Sequence, residues 1–306
     1  MMHWKKKGQI FCQKMDSGWR ANSALTPTPF ILDEDTVRIY AGFRDNEGIS
    51  RIGYVDLDAH DLTKIKAISE SPVLDIGRAG CFDDNGVILG DVVRVNNQIR
   101  MYYVGFQLVK RAKFLAFSGL AESNDNGESF SRISEAPILD RANQATTIRA
   151  IHSVLYEDGR WRIWYAAGDD WQLINGKSYP KYNIWYTESA DGIHFPNPST
   201  LCIDVRDKEY RIGRPSVFKH EHKYYMFYTK GSISGEDYFP GLGISNDGVL
   251  WTRNDEYLGL SLSPNQFDSM HLCYPRLFSV KNKTYCVYNG NNMGLEGFGL
   301  AELIEW

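Results

Sequence analysis

The chain has 306 residues, of which 43% are hydrophobic, so it can bury a substantial core and is neither disordered nor fibrous. A net charge of −4 excludes whole-molecule attraction to nucleic acid or to an anionic membrane. No window approaches the roughly 18 apolar residues of a membrane-crossing helix, and Lys5-Lys6-Lys7 has no apolar run behind it, so a secretory leader is not expected.

One module recurs five times along the chain. Each copy begins with a Pro- or Gly-bearing cluster and an apolar segment: Thr26-Pro27-Thr28-Pro29-Phe30, Gly90-Asp91-Val92-Val93, His152-Ser153-Val154-Leu155, Arg214-Pro215-Ser216-Val217-Phe218 and Tyr274-Pro275-Arg276-Leu277-Phe278. A polar turn follows, then an aromatic-rich strand such as Trp161-Arg162-Ile163-Trp164-Tyr165 or Tyr224-Tyr225-Met226-Phe227-Tyr228. A longer loop leads to a third strand, and the first four copies close with a fourth. In three copies the last turn repeats visibly, around Asp125 and Gly127, Asp191-Gly192, and Asp247-Gly248. Asp bonds back to nearby backbone and Gly tolerates positive φ, so these are turns between strands. No long segment has helical periodicity.

Five four-stranded modules predict an all-β fold, a five-bladed β-propeller of four-stranded antiparallel blades, in one domain spanning 1–306. The blades fall at about 20–75, 78–140, 146–205, 211–262 and 268–306. The last copy lacks a fourth strand, which residues 3–11 are expected to supply, closing the ring and covering an edge.

In such a ring the first strand of each blade is innermost, and its starting end shares one face with the loops between strands two and three. That face collects Arg20, Arg44-Asp45, the stretch from Arg78 to Asn85, Arg149 to His152, Trp171, Tyr179, Arg211 to Arg214, Tyr238-Phe239, and His271 to Arg276. The Asp-Gly turns are carried to the opposite face, where a structural role is expected of Asp125, Asp191 and Asp247.

The modular pattern resembles the five-bladed propeller glycosidases and their relatives, the arabinanase, invertase and mannoside-phosphorylase families. Several segments are more similar to propeller proteins encoded with bacterial surface-polysaccharide genes: Arg44-Asp45-Asn46-Glu47-Gly48-Ile49-Ser50-Arg51, Phe82-Asp83-Asp84-Asn85-Gly86, Arg214-Pro215-Ser216-Val217 and Tyr288-Asn289-Gly290-Asn291. The resemblance implies a carbohydrate-active enzyme acting on a glycosyl bond. Arabinanase-like members carry acids where this chain has Thr26-Pro27, Leu89-Gly90-Asp91 and Gly213-Arg214-Pro215, and here only Asp91 is acidic. Glycoside hydrolysis ordinarily uses two carboxyls about 5–5.5 Å or 6.5–9.5 Å apart, and that pair is missing from its usual places.

Substitute acids exist. Asp84 is the first candidate for proton transfer, with Asp83 beside it, and Asp45 is a candidate for holding a sugar hydroxyl; turn-capping for Asp83-Asp84 and an Arg44 contact for Asp45 are the plainer alternatives. Arg20, Arg78, Arg149, Arg214 and Arg276 fall at or shortly before innermost strands, with Arg44 on a pocket loop. Guanidinium forks so gathered either bind an anionic ligand or fasten neighbouring blades through acids. His152, Trp171 and Tyr274 complete the expected substrate site, where an imidazole and flat aromatic faces suit sugars.

The sequence therefore supports a glycosidase- or phosphorylase-like enzyme on an anionic or phosphorylated sugar, with a non-catalytic carbohydrate-binding or assembly protein as the alternative. A phosphorylase-like reaction would need only one acid, because phosphate supplies the nucleophile. A sugar phosphate or sugar nucleotide is the expected partner, with no cofactor, metal, nucleic acid or membrane insertion. The five cysteines, Cys12, Cys81, Cys202, Cys273 and Cys286, show no metal spacing and are expected to be reduced thiols of a cytoplasmic protein.

Overall fold

The computed structural model describes residues 1–14, 18–195, 199–234 and 237–306. In chain order a first strand, β1 (His3–Phe11), precedes a unit of β2 (Asn22–Ile31), β3 (Thr36–Arg44), β4 (Ser50–Asp58) and β5 (Asp61–Ile68). The next unit holds β6 (Val87–Val95), β7 (Gln98–Gln107), β8 (Leu115–Ser123) and β9 (Ser131–Arg132). The third holds β10 (Ile148–Glu157), β11 (Arg160–Ile174), β12 (Lys177–Ser189) and β13 (Thr200–Ile203). The fourth holds β14 (Glu209–His220), β15 (Lys223–Ser232), β16 (Asp237–Ser245) and β17 (Thr252–Arg253). The last begins with β18 (Cys273–Val280), β19 (Lys283–Asn289) and β20 (Phe298–Glu305), and β1 pairs antiparallel with β20 as its fourth strand.

Each unit is an antiparallel meander, and the units form a β-propeller. The first strands β2, β6, β10, β14 and β18 touch one another in sequence, and β18 returns to β2. The cores are layers between units. Tyr40, Leu89, Met101 and Phe117 pack between the first and second, and Tyr102, Ile151 and Trp161 between the second and third. The second strands are buried on both faces; β3 is buried from Thr36 to Phe43. That is why the aromatic-rich segments sit there: a strand between two blades must fill both layers.

Neighbouring units are also clasped at the far end. An Arg-x-aromatic triplet on the second strand of one unit reaches the Asp-Gly turn of the next. Arg38 Nη1 and Tyr40 Oη donate to Gly127 O (3.0 and 2.9 Å), and Arg100 Nη1 donates to Asp191 O (2.7 Å) while Tyr102 Oη donates to Gly192 O (3.0 Å). Arg162 reaches Asp247 O, and Trp164 Nε1 donates to Gly248 O at 2.9 Å. Within each turn a serine hydroxyl, from Ser123, Ser189 or Ser245, accepts the glycine N–H. The repeated aspartates are therefore turn caps.

β1 is held by more than its ladder. Trp4 Nε1 donates to Leu258 O at 2.6 Å, Lys6 reaches Ser263 Oγ at 2.8 Å and the buried Asp268 carboxylate, and Lys7 pairs with Glu302 at 2.6 Å. Among the described residues no helix is long and apolar enough to cross a membrane.

Candidate functional site

All five innermost strands break register at the same place. Pairing skips Thr26, Gly90, His152, Arg214 and Tyr274, the opening residues of the five apolar segments. Thr26, Arg214 and Tyr274 have φ of 51°, 55° and 57°, a left-handed conformation that costs a non-glycine residue about 1–3 kcal/mol. A bulge re-aims a side chain out of the ladder alternation, and here five bulges surround one axis.

The axis is filled by a polar cluster. Arg214 donates to Leu89 O, to His152 Nδ1 (3.0 Å) and to Thr26 O (3.2 Å), so one guanidinium joins β2, β6, β10 and its own β14. Arg276, from β18, donates to Gly90 O (2.9 Å) and His152 O (3.0 Å) and ion-pairs with Asp91. Both oxygens of Asp91 are also engaged by amides, Val92 N and Val154 N, each at 2.7 Å.

Of the two buried guanidiniums, Arg276 pairs with the Asp91 carboxylate, while Arg214 is held by backbone carbonyls and His152. Burial and the nearby Arg276 charge lower the Arg214 pKa to about 9. Burial, with Arg214 and Arg276 beside it, holds the His152 pKa well below the usual imidazole value, so the ring is neutral. Burial raises the Asp91 pKa, and Arg276 and the two amides oppose that rise. Because Nδ1 accepts from Arg214, the ring proton is on Nε2, for which no described residue serves as acceptor. The Thr26 hydroxyl is likewise buried without a partner.

Above this plug lies an aromatic rim. Tyr274 stands 5.7 Å from the Arg214 guanidinium and meets Tyr238 edge-on at 6.1 Å. Arg211 lies over Tyr238, Tyr210 and Tyr179 at 4.4, 4.9 and 5.7 Å, and His271 closes on Tyr238 at 5.9 Å. Residues with flat apolar faces and polar edges beside guanidinium groups can hold an acidic sugar.

The other sequence candidates are distributed away from the plug. Asp45 ion-pairs with Arg51 rather than Arg44, at 2.7 Å, and accepts from the amides of Glu47 and Ile49. Burial opposes ionisation there, yet Arg51 and those amides hold the Asp45 pKa below its ordinary value. Arg51 also binds Asp75 (2.7 Å), whose carbonyl accepts from Arg132, and Arg132 pairs with the fully buried Asp83 at 2.7 Å. Asp45 and Asp83 are thereby two ends of one chain of ion pairs and a backbone hydrogen bond joining the first and second units. Asp84 is half-buried and accepts from Gly80 N at 2.9 Å through Oδ2, leaving Oδ1 without a described partner.

Arg20 donates to Ser69 O (2.7 Å), Arg78 forms an exposed two-pronged pair with Glu135, and Arg149 donates to Asp140 O (2.7 Å) above the Tyr165 ring. The half-buried Arg44 guanidinium has no partner among the described residues. Trp171 packs edge-on against Phe114 at 5.2 Å, and its Nε1 is buried without an acceptor. Thr26 and Tyr210 escaped sequence reasoning. The signal for Thr26 was its place before Pro27, equivalent to Arg214 before Pro215. Among the described residues no cluster of three or more His, Cys, Asp or Glu side chains could hold a metal.

No family model matches the chain. Two proteins of Mycobacterium tuberculosis do, "Uncharacterized protein Rv1502" (strain H37Rv) and "Uncharacterized protein MT1551" (strain CDC 1551), each 30% identical over 303 residues and covering 99% of both chains. The chain belongs to the family of these mycobacterial proteins. Among solved structures it resembles a glycoside hydrolase (TM-score 0.72, 16% identity, 98% of this chain and 92% of that one). It also resembles a thermostable family-43 glycoside hydrolase (0.68, 19%, 96% and 91%). A third is the GH43_1 enzyme from Xanthomonas citri complexed with xylotriose (0.64, 13%, 92% and 87%). At these identities the likeness is one of fold, a glycosidase-like propeller.

Proposed function

We propose that the chain recognises a carbohydrate bearing a carboxylate or phosphate at the rimmed mouth of its axis, without hydrolysing it by a carboxylate pair. The observation that carries this reading is the composition of the plug. Arg214, Arg276, His152 and Thr26 surround the axis, and the one acid there among the described residues, Asp91, is ion-paired with Arg276 and bonded by two amides. A hydrolase needs one carboxyl free to donate a proton and another to attack or to activate water. An anion approaching this mouth meets the Nε2 proton of His152 and the excess charge of two arginines.

The free thiols of Cys12, Cys81, Cys202 and Cys286 support a cytoplasmic setting, and the resemblance to polysaccharide-cluster proteins supports a role in bacterial surface-polysaccharide metabolism. A second reading has one supporting observation, the unpartnered Oδ1 of half-buried Asp84. One free acid suffices for a phosphorylase-like reaction, with phosphate as nucleophile and Asp84 as proton donor.

A thermal-shift screen of uronates, sugar phosphates, sugar nucleotides, inorganic phosphate and neutral sugars tests the first reading, because a ligand that binds only the folded state raises its stability. Anionic sugars should raise the midpoint, and stabilisation by neutral sugars alone would refute the proposal. Phosphate-dependent turnover of aryl glycosides that disappears in Asp84→Asn, with ligand binding retained, would establish the phosphorylase reading in its place.

A further inference from the structure

A cleft of about 790 Å³ lies beside the rim, between the fourth unit and the segment leading to β18. Its volume is within the roughly 300–1,000 Å³ of small-ligand sites. Phe239, Pro240, Leu258 and Leu260 give it an apolar wall, and Ser232, Ser234 and Ser261 give it hydroxyls. Phe239 directly follows Tyr238 of the rim on β16, and Glu209 lies two residues from Arg211 on β14, so cleft and rim share two strands.

Its lining carries three basic side chains and three acids, and Arg253 behind the wall tips the balance to basic in a chain whose net charge is −4. Glu209 is taken two-pronged by Arg253 (2.8 Å each), and Asp255 by Lys230 (2.6 Å) and again Arg253 (2.8 Å). Among the described residues Arg206 and Lys208, both exposed, have no ion-pair partner, and Asp207 is the one uncommitted acid of the lining. The turn that carries them is braced: Glu209 N donates to Arg206 O (2.8 Å), and Glu209 accepts from Arg206 N (2.9 Å). Behind the wall Arg253 Nε is buried without an acceptor.

We propose that this cleft binds the continuing units of an acidic oligosaccharide whose first unit sits at the axial mouth. Pyranose C–H faces lie on Phe239 and Pro240, and carboxylates meet Arg206 and Lys208, pre-positioned by the Glu209–Arg253 brace. This rests on the mouth reading, extending it from one sugar to a chain.

The test measures calorimetric binding of galacturonate, of its 1,4-linked tetramer and of the methyl-esterified tetramer. The proteins are the wild type, Arg206→Glu/Lys208→Glu and Phe239→Ala. The tetramer should bind at least about tenfold more tightly than the monomer. The double variant should lose that gain while keeping its thermal midpoint and its affinity for the monomer, and the methyl-esterified tetramer, which lacks the carboxylates for mouth and cleft alike, should bind more weakly still. Phe239→Ala should weaken both tetramers. A tetramer bound no better than the monomer, or bound equally by the double variant, overturns the cleft and leaves the mouth standing. Tetramer binding lost in the variant without any monomer binding retains the cleft and removes the mouth. Binding of neither probe by the wild type overturns both.

Discussion

At the scale of residues, Arg276 and Asp91 are the least replaceable pair on the axis. Both are buried, and each satisfies partners on another blade. Truncating Arg276 strands an uncompensated carboxylate in a dry site, which typically costs about 3–5 kcal/mol. Arg276→Ala should therefore lower the denaturant midpoint strongly. Arg276→Met combined with Asp91→Leu should recover much of the loss, because replacing a buried ion pair by apolar groups is often neutral. Urea unfolding of the two variants and the wild type measures this; a double variant as unstable as Arg276→Ala would show that the backbone contacts, not the charge, hold the ring. The sequence made these arginines visible as a set converging on the axis. It did not reveal that Arg214 would be consumed by the carbonyls of two other blades, since backbone acceptors have no signature in side-chain identity.

At the scale of elements, the clasp couples each blade to the next, and its weak point is the glycine of the turn. Gly127 and Gly192 have φ of 87° and 77°, and a Cβ there would lie 2.2 Å from Tyr40 Oη and 2.5 Å from Tyr102 Oη. Gly192→Ala must strain the turn and displace the tyrosine hydroxyl and with it the Arg100 contact. It should cost about 2–4 kcal/mol by the combined backbone and packing effects. Asp191→Asn, which keeps a cap-competent side chain, should cost far less; equal losses in the two variants by thermal unfolding would contradict this account. The strands of each blade were legible from alternating aromatic segments and turn residues. The clasp was not, although Arg38-Ile39-Tyr40, Arg100-Met101-Tyr102 and Arg162-Ile163-Trp164 stood in plain view. Their side chains serve the neighbouring blade, and periodicity within one blade cannot report a partner about 90 residues away.

At the scale of the whole molecule, carboxylates held ionised in the folded state predict how the ring responds to acid. Burial opposes ionisation of Asp255, but Lys230, Tyr228 and Arg253 pull its pKa down to about 2 from 3.8. Asp191 is lowered by His194 and by the amides of its turn, and Asp45 by Arg51 and its loop amides against burial. A carboxyl whose folded pKa lies below its unfolded value stabilises the fold above the unfolded pKa. That contribution is lost as pH falls through the folded one. Because Asp255 and Asp191 brace different blades, the losses should fall together in one cooperative transition between about pH 4 and pH 2. Asp255→Asn should be less stable at pH 7 by roughly 1–2 kcal/mol, allowing for partial solvent screening of the site. It should also show a shallower loss of stability across that acid window, because one titrating group has been removed. Urea midpoints at half-unit steps from pH 7 to pH 2 for both proteins provide the measurement. Parallel curves would mean that Asp255 is not held ionised by Lys230 and Arg253, and a wild type that lost its stability already above pH 5 would place the acid-sensitive groups among the histidines instead.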